Sequence, residues 1–435
     1  MSRIAVIGAG YVGLTTAVCF GSLGHEVLVA DIEPAKIDGL NAGRSPIFEA
    51  GLEPMLAGLL ESGRLRFLVG ALNAVVGAEF VFLCLPTPQS NDGSADLSYI
   101  EAAAAEIAPV LEPGAIVVNK STVPIGAAGL VRELIDRDDI DVASNPEFLK
   151  EGTAIADFLG ADRIVIGAPT REVAVRVASL YVGVEAPVIV TDPTSAEMIK
   201  YASNAFLATK LSFVNAVAEL CERVGADIED VVNGMGRDRR IGREFLRPGP
   251  GFGGSCFPKD TSALARIAHG AGSEFPLLAA TLAINDRQAQ RVVDKVELLS
   301  PGGLDGCRVG VLGLAFKAGT DDLRDSPALA VIELLLGAGV SVVAHDPVLT
   351  AGSDSEADHR LDVLVDAGVR LAVDRYEPAR DADVLVVLTE WGDYRELDPD
   401  KVAELMSQPA IVDSRNLLDR AAFQRRGFRF LGTGR

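Results

Sequence analysis

The side chain best suited to covalent chemistry in this chain is a cysteine in an unusual setting. Cys256 lies in RPGPGFGGSCFPKD, residues 247–260, where four of fourteen residues are glycine and three are proline. Pro258 suits the first position of a helix, and KDTSALARIA reads on as helix after it. Cys256 then stands just before a helix N-terminus and beside Lys259, and both features favour the thiolate. The surrounding glycines predict a bare backbone that a bulky, flat or sugar-like ligand can touch. A buried, inert cysteine is the alternative, but a Gly/Pro loop gives such a residue no packing reason.

Lys200 and Asn204 are four apart in TSAEMIKYASNAFLATKLSFVNAVAELCERVG, a run with helical spacing, so they share one face. Their neighbours Ala196, Ile199, Ala202, Ala205 and Leu207 are apolar, which favours partial burial over a solvated pair. A cation and an amide placed together would stabilise a developing oxyanion. Three polar stretches, LPTP (85–88), KSTVP (120–124) and NPEFLKEG (145–152), carry Thr87, Thr122 and Glu147. Each sits at the C-terminal end of an apolar run, and ligands of open α/β sheets bind outside those ends. Any one of them is compatible with an ordinary turn; three at one sheet edge predict a site.

GAGYVG, Gly8 to Gly13, directly follows one apolar run and opens a helix. Gly8 permits the tight turn, Gly10 the approach of a pyrophosphate, and Gly13 close helix–strand packing, with the phosphate at the helix N-terminus. Asp31 ends the next run about 20 residues on, where a carboxylate meets a ribose 2′-hydroxyl. The pattern predicts a dinucleotide site. Because Asp31 repels a 2′-phosphate, NAD is expected rather than NADP. GLAFKAGTDDLRDSP, 313–327, begins like a second phosphate-binding turn with an incomplete set of glycines; Lys317 and Arg324 there could neutralise a pyrophosphate, although a mixed-charge surface loop reads equally well.

The elements that must position these groups follow from hydrophobic patterning. RIAVIG, EVLVAD, EFVFLCLP, AIVVNKS, DVASNP and RIVIG alternate with helical segments over the first 190 residues, which predicts a parallel sheet covered on both faces. From about residue 194 the pattern turns helical, with Thr194 and Glu197 as a capping box and Gly225 as the stop. Further helices run to about 300. CRVGVLGLAF, VSVVAHD, DVLVVLT and AIVDSRN then restore the alternation. The expected fold class is α/β: two doubly wound, Rossmann-like domains joined by a long central helix and a helical middle. The expected domains are 1–193, 194–300 and 301–435. The most loop-like stretch outside the motifs is 350–360, TAGSDSEADHR.

Composition narrows the function further. The 435 residues are 49% hydrophobic and 23% charged, as in globular proteins. A net charge of −21 disfavours nucleic acid and anionic membrane as partners, while local Lys and Arg leave anionic small molecules open. The sequence begins directly in a strand pattern, without a signal-peptide pattern, and no apolar run approaches the ~20 residues of a membrane span. Cys19, Cys84, Cys221 and Cys307 lie in apolar patterns and read as core packing. An odd, scattered set of cysteines fits a reducing, cytoplasmic setting without disulfides. With four histidines and no His/Cys cluster, no metal site is expected.

Taken together, GAGYVG, KSTVP, NPEFLKEG, GPGFGGSCFPKD, FKAGTDDLRDSP and DSRN resemble the UDP-glucose/GDP-mannose dehydrogenase family over nearly the whole chain. The resemblance implies an NAD domain, a helical dimerisation middle and a C-terminal UDP-sugar domain, assembled as a homodimer or higher homo-oligomer. It implies a four-electron oxidation of UDP-glucose at C6 to UDP-glucuronate through a thiohemiacetal and a thioester on Cys256. By the same matching, Lys200 and Asn204 stabilise oxyanions, Asp260 and a water on Thr122 transfer protons, and Glu147 is the base for thioester hydrolysis. NAD would be held by Gly8, Gly10, Tyr11, Val12, Gly13, Asp31, Lys36, Thr87, Thr122, Glu151, Lys259 and Arg324. The sugar nucleotide would be held by Glu147, Phe148, Leu149, Lys200, Asn204, Phe245, Leu246, Gly253, Phe316 and Lys317, with Arg240 supplied by a partner subunit. KSTVPIG with GPGFGGSCFPKD looks more like the UDP-glucose branch than like the branches that take GDP-mannose or N-acetylated UDP-hexosamines. A one-step alcohol dehydrogenase would need no cysteine, and a non-catalytic NAD-binding sensor would be indicated by loss of Cys256 or Lys200, both of which are present.

Overall fold

The computed structural model describes residues 1–88, 95–349 and 359–435. Its contacts divide the chain into two compact units, residues 1–203 with 262–273 and residues 204–261 with 274–435.

The first unit is built on an eight-stranded sheet: β1 (Arg3–Ile7), β2 (Glu26–Asp31), β3 (Leu65–Val69), β4 (Phe80–Leu83), β5 (Ile116–Asn119), β6 (Asp141–Ser144), β7 (Ile164–Gly167) and β8 (Val188–Thr191). The order is β3-β2-β1-β4-β5-β6-β7-β8, so the winding reverses between β1 and β4. Alternate residues of one strand feed opposite cores: Ile4 and Val6 lie in one cluster, Ala5 and Ile7 in the other. That is why the runs read as continuously apolar. The expectation of a uniformly parallel sheet needs one correction. β6 meets β7 antiparallel, through Ser144 and Gly167, and β8 runs parallel to β7. β3 and β8, absent from the expected runs, lie at the two edges of the order. β3 alternates buried and exposed residues, and β8 is exposed over most of its length, so neither carries a long buried run with flanking helices.

In the second unit all strands are parallel: β9 (Arg308–Leu312), β10 (Ser341–His345), β11 (Arg370–Leu371), β12 (Val384–Val387), β13 (Ala410–Asp413) and β14 (Arg429–Gly432), ordered β11-β10-β9-β12-β13-β14. The winding matches that of the first sheet. β9, β10, β12 and β13 are the expected runs, and the two unanticipated strands again lie at the edges. Of the loop-like stretch 350–360, residues 350–358 lie outside the described residues, and a helix, His359–Asp366, starts at its end.

The long helix spans Pro193–Val224, 32 residues. Gly225 stops it as expected, at φ 77°. The capping box is corrected. Asp192 caps the helix instead, its carboxylate accepting from Ser195 N at 2.9 Å and Ser195 Oγ at 2.6 Å. Glu197 turns away to another helix. Cys19, Cys84, Cys221 and Cys307 are core residues as read, and burial pushes the thiols of Cys19 and Cys84 up to about 12.

Candidate active site

In the first unit the glycine turn has the predicted mechanics. Gly8 sits at φ 101°, and a Cβ there would stand 2.3 Å from Cys84 O. A Cβ on Gly13 would stand 1.9 Å from Gly8 O. A Cβ on Gly10 would meet nothing within 4 Å. Two glycines are therefore demanded by packing, and the third leaves open space at the start of the helix Tyr11–Ser22, which has no side-chain cap. That is the cradle a pyrophosphate needs, so the residues present fit NAD. Asp31 closes the turn by accepting from Ala9 N at 2.9 Å. Lys36 reaches Asp31 at 3.4 Å and Glu33 at 3.1 Å, so its charge is shared with two acids. Val12 is half-buried against the core.

Tyr11 ties this turn to the loop after β6. Its hydroxyl donates to Glu49 and accepts from Gly152 N at 2.6 Å. Burial and Glu49 push the phenol far above its usual range. Glu49 also accepts from Ile155 N at 3.4 Å. Sequence reasoning missed Glu49, because an acid in SPIFEAGLEP carries no spacing signal; only its burial marks it. Glu151, half-buried, lies in the same loop just before Gly152.

Thr87, Thr122 and Glu147 do come to one edge of the sheet. Thr87 Oγ1 donates to Thr122 O at 2.9 Å, and Ser121 Oγ donates to Leu85 O at 2.6 Å, joining the loops after β4 and β5. Lys200 Nζ meets Glu147 Oε1 at 2.7 Å, and Glu147 Oε2 accepts from Leu149 N at 2.6 Å. Lys200 is buried, so the solvated-pair reading is excluded. Burial pushes the Glu147 carboxyl up, but Lys200, the Leu149 N–H and Lys120 outweigh it and hold it below the usual carboxylate range. Glu147 is therefore ionised and anchored by Lys200 and the Leu149 N–H. Phe148 lies under Arg163 at 3.7 Å and Lys200 at 5.5 Å.

Behind this pair stands Lys120, which lies within KSTVP but was not singled out. Its Nζ donates to Asn145 Oδ1 at 3.1 Å and to Tyr181 Oη at 3.3 Å. Burial pulls its pKa down to about 8, against the attraction of Glu147. Glu197, expected to cap its own helix, has remote partners instead. It accepts from Gly126 N at 2.6 Å, Ala128 N at 3.0 Å and Ser144 Oγ at 3.0 Å, and so caps the helix Ala127–Ile135 from outside. Its spacing from Thr194 predicts a local cap, because spacing does not show a tertiary partner.

In the second unit Cys256 is half-buried and stands immediately before the helix Phe257–Gly270, as expected; Asp260 N donates to Cys256 O at 2.8 Å. Asn204 Nδ2 donates to Asp260 Oδ2 at 2.6 Å, both buried. Lys259 Nζ lies 3.3 Å from Asp260 Oδ1, yet that oxygen accepts no hydrogen bond among the described residues.

The bare backbone around Cys256 serves packing more than the expected ligand contact. A Cβ on Gly253 would stand 1.9 Å from Asp325 O, and one on Gly254 would stand 2.8 Å from the Phe316 ring. Gly254 N donates to Arg324 O at 2.9 Å. The glycines thus dock the cysteine loop onto the 313–327 loop. Asn285 clamps the same loop at both polar atoms of Phe252, at 2.8 and 3.2 Å. Arg415 of DSRN donates to Phe316 O at 3.1 Å and Leu388 O at 2.7 Å, which fixes the turn carrying Lys317. Lys317 Nζ lies 5.4 Å from the centre of the Phe316 ring. Arg324 is held by Asp322 through several hydrogen bonds, the shortest 2.8 Å. Phe245 sits at φ 62° and edges against Phe257, while Leu246 is buried in a core cluster and its N–H donates to Arg243 O at 3.2 Å. Arg240 stands apart, its side chain 89% exposed and paired with Asp238 at 2.6 Å.

Among the described residues no group of His, Cys, Asp and Glu is arranged to hold a metal ion, and no helix is long and apolar enough to cross a membrane.

Comparison with known proteins covers nearly the whole chain. Three descriptions of one family match in order: its NAD binding domain over residues 2–185, its central domain over 194–287 and its UDP binding domain over 310–420. A UDP-glucose 6-dehydrogenase of Rhizobium meliloti (strain 1021) is 44% identical, with 100% of this chain and 99% of the relative covered. One from Bacillus subtilis (strain 168) is 42% identical, covering 100% and 94%. A solved UDP-glucose dehydrogenase from Pyrobaculum islandicum superposes with a TM-score of 0.90 at 39% identity, covering 100% of this chain and 98% of that one. The chain therefore belongs to the UDP-glucose/GDP-mannose dehydrogenase family.

Proposed function

We propose that this protein is an NAD-dependent UDP-glucose 6-dehydrogenase that converts the C6 alcohol of UDP-glucose to the carboxylate of UDP-glucuronate in two oxidations. The observation that carries this reading is Cys256 at the head of a helix whose first turn holds Asp260, bonded to Asn204 at 2.6 Å. Bound NAD supplies the hydride acceptor for both oxidations; the chain's own residues do the rest. Asp260 and a water on Thr122 take the hydroxyl proton. Lys200 and Asn204 hold the oxygen as it gains charge. The Cys256 thiolate adds to the aldehyde carbon, giving a thiohemiacetal, and the second oxidation leaves a thioester. Glu147, ionised, draws a proton from water; the water oxygen bonds to C6, the C–S bond breaks, and Cys256 leaves as the thiolate.

Gly8, Gly10, Tyr11, Val12, Gly13 and Asp31 hold the cofactor, joined by Lys36, Thr87, Glu151, Lys259 and Arg324. The sugar nucleotide is held by the Glu147–Leu149 segment, the backbone of 245–253, Phe316 and Lys317. Residues 1–193 act as the NAD domain, 194–300 as the middle and 301–435 as the UDP-sugar domain. The active form is a homodimer. Exposed Phe206, Phe213 and Leu220 recur at a seven-residue interval along the long helix, an apolar stripe suited to an isologous contact. Five thiols without a disulfide fit a reducing cytoplasm.

The deciding experiment counts NADH per UDP-glucose. Two NADH and no free aldehyde are expected, with Cys256→Ala unable to form the uronate. One NADH per sugar, with aldehyde trapped by an added amine, refutes the covalent route.

A further inference from the structure

Asn119 is the last residue of β5, and Ser144 is its register partner at the end of β6. Asn119 is 1% exposed, and neither its amide nitrogen nor its amide oxygen has a hydrogen-bond partner among the described residues. Such a group is unfavourable where it stands, and native structures keep few of them. The residue borders a small cavity also lined by Ser121, Thr122, Ser144, Glu197 and Lys200. The cavity has room for about one water molecule; Val123 and Pro146 complete its lining, and Asn119, Thr122 and Lys200 are the polar side chains a buried water there could bond. One wall is rigid, because Glu197 is bound both to Ser144 and to the start of the helix Ala127–Ile135.

We propose that this cavity binds one ordered water, that the Asn119 amide holds it against the wall carrying Lys200 and Thr122, and that Asn119 is thereby a positioning residue for the Lys200 ammonium. The role rests on the reading that Lys200 acts on the reacting oxygen. A purely structural residue behaves differently. Replacing a buried amide together with the water it holds by an apolar group of similar shape is near neutral or stabilising. Asn119→Leu fills the space and displaces the water, so it separates stability from activity.

The test uses the full-length protein. Crystal structures of wild type and Asn119→Leu are compared, with kcat, both KM values and thermal unfolding. Water density within hydrogen-bond distance of Asn119 is expected in wild type and not in the variant. In Asn119→Leu, kcat falls on the order of tenfold or more while both KM values stay within about twofold and Tm is unchanged or higher. Asn119→Ser keeps a hydroxyl, leaves room for a second water and recovers most of kcat. A dry wild-type cavity, wild-type kcat in Asn119→Leu, or an equal loss in Asn119→Ser overturns the proposal. Lys200→Ala is the control for the underlying reading: if its kcat is unchanged, the role of Lys200 fails, while the crystal structures still decide the water site.

Discussion

Lys200→Met is the most informative single substitution, because it removes the cation from a pair whose side chains are only 4% and 5% exposed and whose charges meet at 2.7 Å. Stripping one partner from such a pair costs about 3–5 kcal/mol, since the remaining charge is buried and uncompensated. Glu147 can escape part of that cost by taking up a proton, which makes the effect depend on pH. In the wild type burial raises the Glu147 carboxyl, but Lys200, the Leu149 N–H and Lys120 together depress it. A depressed folded pKa contributes stability above the unfolded pKa that is lost as pH falls through the folded pKa. With Lys200 gone, burial prevails, and the folded carboxyl titrates above its unfolded value. The variant then loses stability as pH rises. The Tm gap between wild type and Lys200→Met should be small near about pH 4 and wide at about pH 8. Adding Glu147→Gln should narrow it again without restoring activity. Activity should drop on the order of 10²–10³-fold from the lost oxyanion contact alone. A neutral Glu147 should also leave the adduct on Cys256, visible by mass spectrometry. A Tm penalty independent of pH, or a wild-type kcat, refutes the reasoning.

Asp31→Ser should narrow the preference for NAD over NADP in kcat/KM and also loosen the turn, since Ala9 N loses its acceptor; an undiminished preference would remove Asp31 from the ribose. Glu197→Ala should cost about 1–2 kcal/mol, the range for loss of a helix cap, and speed hydrogen exchange at Gly126 and Ala128; unchanged exchange there would mean that the carboxylate does not hold this helix. Arg240 carries a test of symmetry. When folded, dimeric Arg240→Ala and Cys256→Ala subunits exchange, activity should reappear up to roughly a quarter of wild-type sites if Arg240 serves the partner's site. No recovery on mixing would place Arg240 in its own chain's site.

Much of this was legible in the residues alone. A continuous Val/Ile run feeds two cores by alternation, so β1, β2, β4, β9 and β12 announce themselves without any partner. The glycine turn is legible as a motif too, although only Gly13 is demanded locally, by Gly8 O five positions back; Gly8 is demanded by Cys84 O, just past β4. Cys256 and its helix follow from one proline and a helical run. Tertiary structure alone decided the rest, wherever the partner is remote in sequence. Glu197 reads as a cap for its own helix, yet its acceptor atoms are claimed by backbone about 70 positions away, because a buried carboxylate needs donors and Asp192 already caps the near end. The glycines beside Cys256 read as bare backbone for a ligand; the fold adds a packing reason, because a Cβ on Gly253 or Gly254 would meet Asp325 O or the Phe316 ring. Glu49 and Asn119 bear no motif, and Lys120 stands in KSTVP without a spacing that marks its role. Their meaning lies in burial, which sets the cost of an unpaired polar group, and burial exists only once the chain has folded.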